Sequence, residues 1–196
     1  MFEAKPGKQS QPELSPQQIA FFTQAVAEYI RTQRSYYYAR AAPLSFSDLW
    51  SRFFRPVDLQ RVRALQAGPP LSAASARRGL EERVLNPPFY SQLERLGFNG
   101  LPDFTAMAAI TFDDVVIFHD PLTPQLIFHE MVHVVQYRLL GVDEFARLYV
   151  RGYLHSGYEG TPLEVCAYQL DGRFLMGSVG FDIESEVRSW IANARF

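Results

Sequence analysis

Apolar positions in the first half of the chain recur at helical spacing. Ile19, Phe22, Val26, Tyr29 and Ile30 form one stripe, preceded by Ser15, Pro16 and Gln18, which have the makings of a capped start with a capping box. They predict an amphipathic helix from Ser15 to about Arg34. The following segment holds three consecutive tyrosines, Tyr36 to Tyr38, and reads as a connection whose rings serve packing or stack on a ligand. Two short helices are predicted to begin near Ser47 and Pro56, the second running through PVDLQRVRALQ. A break at AGPPLS precedes renewed helical character in ARRGLEERVL, and PFYSQLERLG reads as a short helix closed by Gly97.

The period changes after Pro102. AAITFDDVVIF alternates and is rich in β-branched residues around Asp113 and Asp114, the pattern of a β-hairpin with a tight turn. That hairpin either covers the next helix or offers a strand edge to an extended peptide. Residues 123–141 then read as a well-bounded helix: Thr123 suits the N-cap, Pro124 the first turn and Gly141 the end. Ile127, Met131, Val134 and Val135 share an apolar side, and Glu130 is the one charge between Leu126 and Val135. Further helices are predicted from Asp143, from Thr161 with Pro162, and from Asp182 or Ser185 to Ala194. The fold class is α+β, predominantly helical with a short β-hairpin or small sheet beside the central helix. Residues 1–14 read as a disordered polar arm and 15–196 as a single domain, with 15–100 mainly helical and 101–196 carrying the chemistry.

Composition narrows the classes of function. At 196 residues the chain can bury a sizeable core, and a net charge of −2 without long runs of one sign leaves no basic face for nucleic acid. One cysteine, Cys166, excludes an internal disulfide, and the start has no cleavable-signal pattern, which points to the cytoplasm. No apolar run is long enough for a transmembrane segment.

The central helix carries the sequence His129-Glu130-Met131-Val132-His133, an HExxH spacing. On a helix the two histidines lie ~40° apart and Glu130 ~100° from His129, so all three can act on one ligand. An apolar helix with a lone carboxylate and two imidazoles calls for a cation, because an unpaired buried charge costs several kcal/mol. Zinc is the expected cofactor: a catalytic zinc takes three protein ligands and one water, so a third donor is needed. Glu164 is the favoured choice, on a later helix whose small Ala167 permits close approach. The same spacing, Thr161-x-x-Glu164, is also a capping box in which Glu164 would bond only its own helix start. His155 is an alternative ligand, Glu159 a loop-borne rival, and His119, before a Pro121 turn, is disfavoured. Glu130 is the expected general base, and Tyr158 or His155 the expected donor to a developing oxyanion.

The HExxH helix followed by Glu164 resembles the gluzincin class of zinc metallopeptidases, over about residues 109–171. The HVVQ continuation at His133 to Gln136 and the PLExxAY segment at Pro162 to Tyr168 are similar to small bacterial HExxH domains. The resemblance implies a thermolysin-like zincin fold, zinc held by His129, His133 and Glu164, and a peptide or protein substrate. One departure stands out: those enzymes carry an acid four positions after the glutamate ligand, where this chain has Tyr168, and Asp171 one turn on is the substitute at hand. A zinc-containing binding or structural domain without turnover, and a metal-free helical regulator, are the competing readings.

Overall fold

The computed structural model describes residues 12–67, 84–177 and 179–193. The predicted arm falls largely, and the predicted helix at ARRGLEERVL almost wholly, outside the described residues. Helix α1 (Pro16–Tyr38) starts as the sequence predicts: the Ser15 hydroxyl accepts from the Gln18 N–H, and the Gln18 side chain accepts from the Ser15 N–H. It continues past Arg34 through all three tyrosines, so these are helix and not a connection. Tyr37 is buried and stacked parallel to Phe112, while Arg34 lies over the exposed Tyr38 ring. Burial of one tyrosine prolongs a helix that local spacing ends earlier.

Strand β1 (Ala42–Pro43), a 3-10 turn at Asp48–Arg52 and helix α2 (Pro56–Arg61) follow. The second predicted short helix stops at Arg61, and β2 (Arg63–Gln66) takes the rest of its sequence into a sheet. Helix α3 (Tyr90–Arg95) precedes β3 (Ala109–Phe112) and β4 (Val115–Phe118). The strands form a mixed sheet in the order β1-β2-β4-β3. β2 is parallel to β4, with Ala64 opposite Val116, and β3 is antiparallel to β4, with Phe112 opposite Val115. The β3–β4 hairpin turns on Asp113, whose φ of 57° an aspartate tolerates better than most residues. Arg61 binds Asp113 at 2.7 Å and Arg34 binds Asp114 through two hydrogen bonds of 2.9 and 3.0 Å, fixing the hairpin to α2 and α1.

Helix α4 (Pro124–Ser156) runs over the sheet, α5 (Pro162–Leu175) packs against it, and α6 (Ile183–Asn193) closes the far side. The result is an α+β fold, as the sequence predicts. The Thr123 hydroxyl accepts from the Leu126 N–H at 3.1 Å and caps α4. Gly141 leaves the helical region (φ 73°, ψ 165°), so α4 is two helices joined at a kink. The outer face of its first half packs into an aromatic core: Phe128 stacks on Phe174 at 4.4 Å between centroids and meets Phe53 and Phe54 edge-on. On the same side Arg138 binds the buried Asp58 of α2 and the buried Glu184 of α6 at 2.5 and 2.6 Å. No helix among the described residues is long and apolar enough to cross a membrane.

The start of α5 comes so close to the second half of α4 that a Cβ added at Gly152 would lie 2.7 Å from Pro162 Cδ and 3.3 Å from the Thr161 backbone. Gly152→Ala is therefore expected to destabilise the protein by about 1–3 kcal/mol through overpacking. Gly172→Ala, inside α5 with nothing within 4 Å of the new methyl, is expected to stabilise it by up to about 1 kcal/mol. Thermal unfolding of the two variants checks both signs.

Candidate metal centre

His129 and His133 project from the first half of α4, one turn apart, on the face turned away from Phe128 and Met131. Glu164 comes from the first turn of α5. Thr161 is the N-cap of α5 but its hydroxyl makes no capping bond, and the Glu164 carboxylate is turned towards the histidines instead of completing a capping box. His129 Nε2 and His133 Nε2 are 3.2 Å apart, and Glu164 Oε2 lies 3.5 and 3.6 Å from them. All three residues are buried.

The outer nitrogens show which atoms face inward. His129 Nδ1 is 2.9 Å from Asp171 Oδ2, and His133 Nδ1 is 2.8 Å from Gln136 Oε1. Both partners are acceptors, so each Nδ1 carries the proton and each neutral ring points an Nε2 lone pair inward. Two lone pairs and a carboxylate oxygen thus converge on one point. Glu164 Oε2 is buried and has no hydrogen bond. Donors held at about 2.0–2.2 Å from one tetrahedral ion lie about 3.3–3.6 Å from each other, close to the three separations observed. His129, His133 and Glu164 fit a metal ion on geometry and on the unmet need of the buried oxygen.

The electrostatics agree. Burial disfavours a charged His129, but Asp171, Glu164 and the charge of Glu130 outweigh it and raise its pKa to about 10. His133 is also raised, since Glu164 outweighs the opposing effect of burial. Burial works to raise Glu164, yet the two imidazoles hold it well below the usual carboxylate range. Both imidazoles are thus favoured in the charged form and Glu164 as carboxylate, so the pocket favours positive charge.

Glu130 is 5% exposed, and its Oε2 accepts a 2.7 Å hydrogen bond from the Thr111 hydroxyl of β3. Tyr158, in the loop before α5, lines the same cavity as the three donors; burial, followed by the charges of Glu164 and Glu130, pushes its phenol pKa far up. Its hydroxyl lies 3.9 Å from Met107 Sδ. His155 does not join this group: it is exposed in the last turn of α4 and does not line the cavity, so it serves neither as ligand nor as oxyanion donor here. The kink at Gly141 sets the direction of that second half. Glu159 is exposed, and His119 is buried with Nδ1 on Met107 O at 2.8 Å and Nε2 accepting from the Val84 N–H. Both of its ring nitrogens are used structurally.

Two residues of the site escape sequence reasoning. Gln136 orients His133 and donates to Leu163 O at 3.0 Å, tying the ligand helix to the start of α5; its i+3 spacing from His133 was a readable signal. Thr111 had none, because nothing local links it to Glu130. Tyr168 stands half-exposed, its ring 4.6 Å from that of His129, and Asp171, not Tyr168, accepts the hydrogen bond from the imidazole.

No family model, curated protein or solved structure matches the chain.

Asp171→Asn is expected to weaken metal binding about tenfold to a hundredfold by disturbing the tautomer and orientation of His129. Competition with a chromogenic chelator measures it. With the His129 pKa raised to about 10 by Asp171, Glu164 and Glu130 against the opposing effect of burial, uptake of a divalent ion at pH 7 should expel about one proton, and affinity should fall as pH falls. Calorimetry in buffers of different ionisation enthalpy reads this directly: a binding enthalpy independent of buffer would contradict it.

Proposed function

We propose that the chain is a zinc-dependent metallopeptidase of the gluzincin kind, hydrolysing an amide bond with Glu130 as general base. The observation that carries the reading is the convergence of His129 Nε2, His133 Nε2 and Glu164 Oε2 within 3.6 Å, with Glu130 next in sequence to the first ligand. Two imidazoles and one carboxylate suit zinc in a catalytic site, whereas closed structural sites are mostly thiolate-rich. When bound, zinc lowers the pKa of a coordinated water to about 7 and polarises a carbonyl.

The residues of the chain supply the rest. Glu130, steadied by Thr111, takes the proton from the attacking water and hands it to the departing amine. The Tyr158 hydroxyl, kept in its protonated form by burial and nearby carboxylates, donates to the oxygen that gains charge. Asp171 and Gln136 keep both imidazole tautomers fixed throughout. β3 stands at the edge of the sheet beside the site, where a substrate backbone can pair with it.

Glu130→Gln should retain stoichiometric zinc and lose amide hydrolysis by about 10²- to 10⁴-fold, measured on a peptide library alongside metal analysis. Zinc-loaded Glu130→Gln as active as the unaltered chain would remove Glu130 from the mechanism. A zinc-loaded chain that cleaves nothing in the library would instead favour a binding domain.

A further inference from the structure

The metal donors line a cavity of ≈ 120 Å³ whose other walls are chiefly apolar and aromatic. Its volume is of the order of a single six-membered ring, since an apolar protein cavity of about 150 Å³ accommodates one benzene. The walls are not wholly apolar. Six tyrosines and Thr111 stand among the lining residues. Thr111 donates to Glu130, Tyr29 to the Leu85 carbonyl, and the Tyr158 hydroxyl meets Met107 Sδ at 3.9 Å. The hydroxyls of Tyr149 and Tyr153 differ: both are buried, and neither has a hydrogen-bond partner among the described residues.

These two phenols are neighbours, one turn apart on the second half of α4, a spacing that sets side chains together on one face. Tyr158 ties them to the metal donors. Its ring is 6.4 Å from that of Tyr149, it packs against the cluster that contains Tyr153, and the Glu164 charge acts on its hydroxyl. Burial raises the pKa of all three phenols, so each stands as a neutral O–H that can both donate and accept. Apart from the His-Glu group, no charged residue lines the cavity among the described residues. A carboxylate brought here would lose its hydration and come near Glu130 and Glu164, while an ammonium away from them would meet only neutral oxygens. The chemistry selects an uncharged occupant.

Counting donors and acceptors narrows the choice further. A hydrocarbon ring leaves both tyrosine hydroxyls unpaired, and a carboxamide brings two N–H donors and an acceptor oxygen, more than two hydroxyls satisfy. A phenol oxygen donates once and accepts, so a pair of hydroxyls completes it. Its ring also suits aromatic walls, which take edge-on contacts. Building on the hydrolase reading, we infer that the cavity is a specificity pocket for a phenol side chain, that of a tyrosine adjoining the cleaved amide bond, with Tyr149 and Tyr153 binding its hydroxyl.

Binding and cleavage by the full chain test the pocket separately. p-Cresol titrated into the metal-free protein should bind about tenfold more tightly than toluene. With zinc loaded, kcat/KM should favour tyrosine over phenylalanine at one residue beside the cleaved bond by about tenfold or more. Tyr149→Phe and Tyr153→Phe each remove a hydroxyl that bonds nothing in the free chain, so both should unfold at the unaltered temperature or above it. Each should cut the preference for p-cresol by about threefold. Equal affinity for p-cresol and toluene, or no binding of either, means that the hydroxyls hold water only and overturns the pocket, while peptide cleavage in the same preparation leaves the hydrolase reading standing. A preference intact in both variants overturns it as well. Selectivity for p-cresol that both variants lose, without cleavage of any peptide, upholds the pocket and removes the hydrolase reading.

Discussion

Two imidazole lone pairs and a carboxylate oxygen are held within 3.6 Å of one another in a buried place, an arrangement that is repulsive unless a cation or a proton sits among them. The surroundings are built to impose it. Asp171 and Gln136 pin both Nδ1 protons outward, so neither ring can flip its tautomer to escape. Gln136 also grips the Leu163 carbonyl, and the missing Cβ at Gly152 lets the start of α5 come in against α4. A buried charge so constrained makes the metal-free fold carry a cost that binding relieves, which links metal uptake to stability.

The opposite face of α4 supplies the rigidity. Phe128, between the two histidine-bearing turns and the Phe53–Phe54–Phe174 cluster, locks the rotation of the helix about its axis. The ion pairs of Arg138 with Asp58 and Glu184 set its position along that axis relative to α2 and α6. Buried ion pairs of this sort contribute little net stability, but breaking one leaves an uncompensated charge, so they discriminate against misplaced packings. The metal donors on α4 and α5 and the Thr111–Glu130 contact from β3 are thus brought together by elements that are themselves braced from behind.

The central helix, its Thr123 cap and the shared face of His129, Glu130 and His133 were legible in the sequence because they depend on 3.6-residue periodicity and end chemistry, which are local. The hairpin was legible for a similar local reason: two short β-rich runs flank a pair of aspartates that form the turn, although both strands are buried throughout and do not alternate. RVRALQ was not legible, since a short segment of mixed polarity becomes strand or helix according to whether a partner is available, and its partner is β4, some fifty residues away. Tyr36 to Tyr38 belong to α1 because Tyr37 finds Phe112 to stack against, a contact invisible to any window of the chain.

What the sequence determined by itself was a capped, largely apolar helix that presents two imidazoles and a carboxylate on one side. Tertiary structure decided the rest of the site: that Glu164 turns inward rather than capping its own helix, that His155 is carried away beyond the Gly141 kink, that Asp171 rather than the residue at 168 accepts from the His129 ring, and that a mostly apolar cavity adjoins the three donors. The physical reason is range. Helix periodicity is fixed by bonds four residues apart, whereas a metal site and its cavity are set by the distances between elements, which only the packing of the whole chain determines.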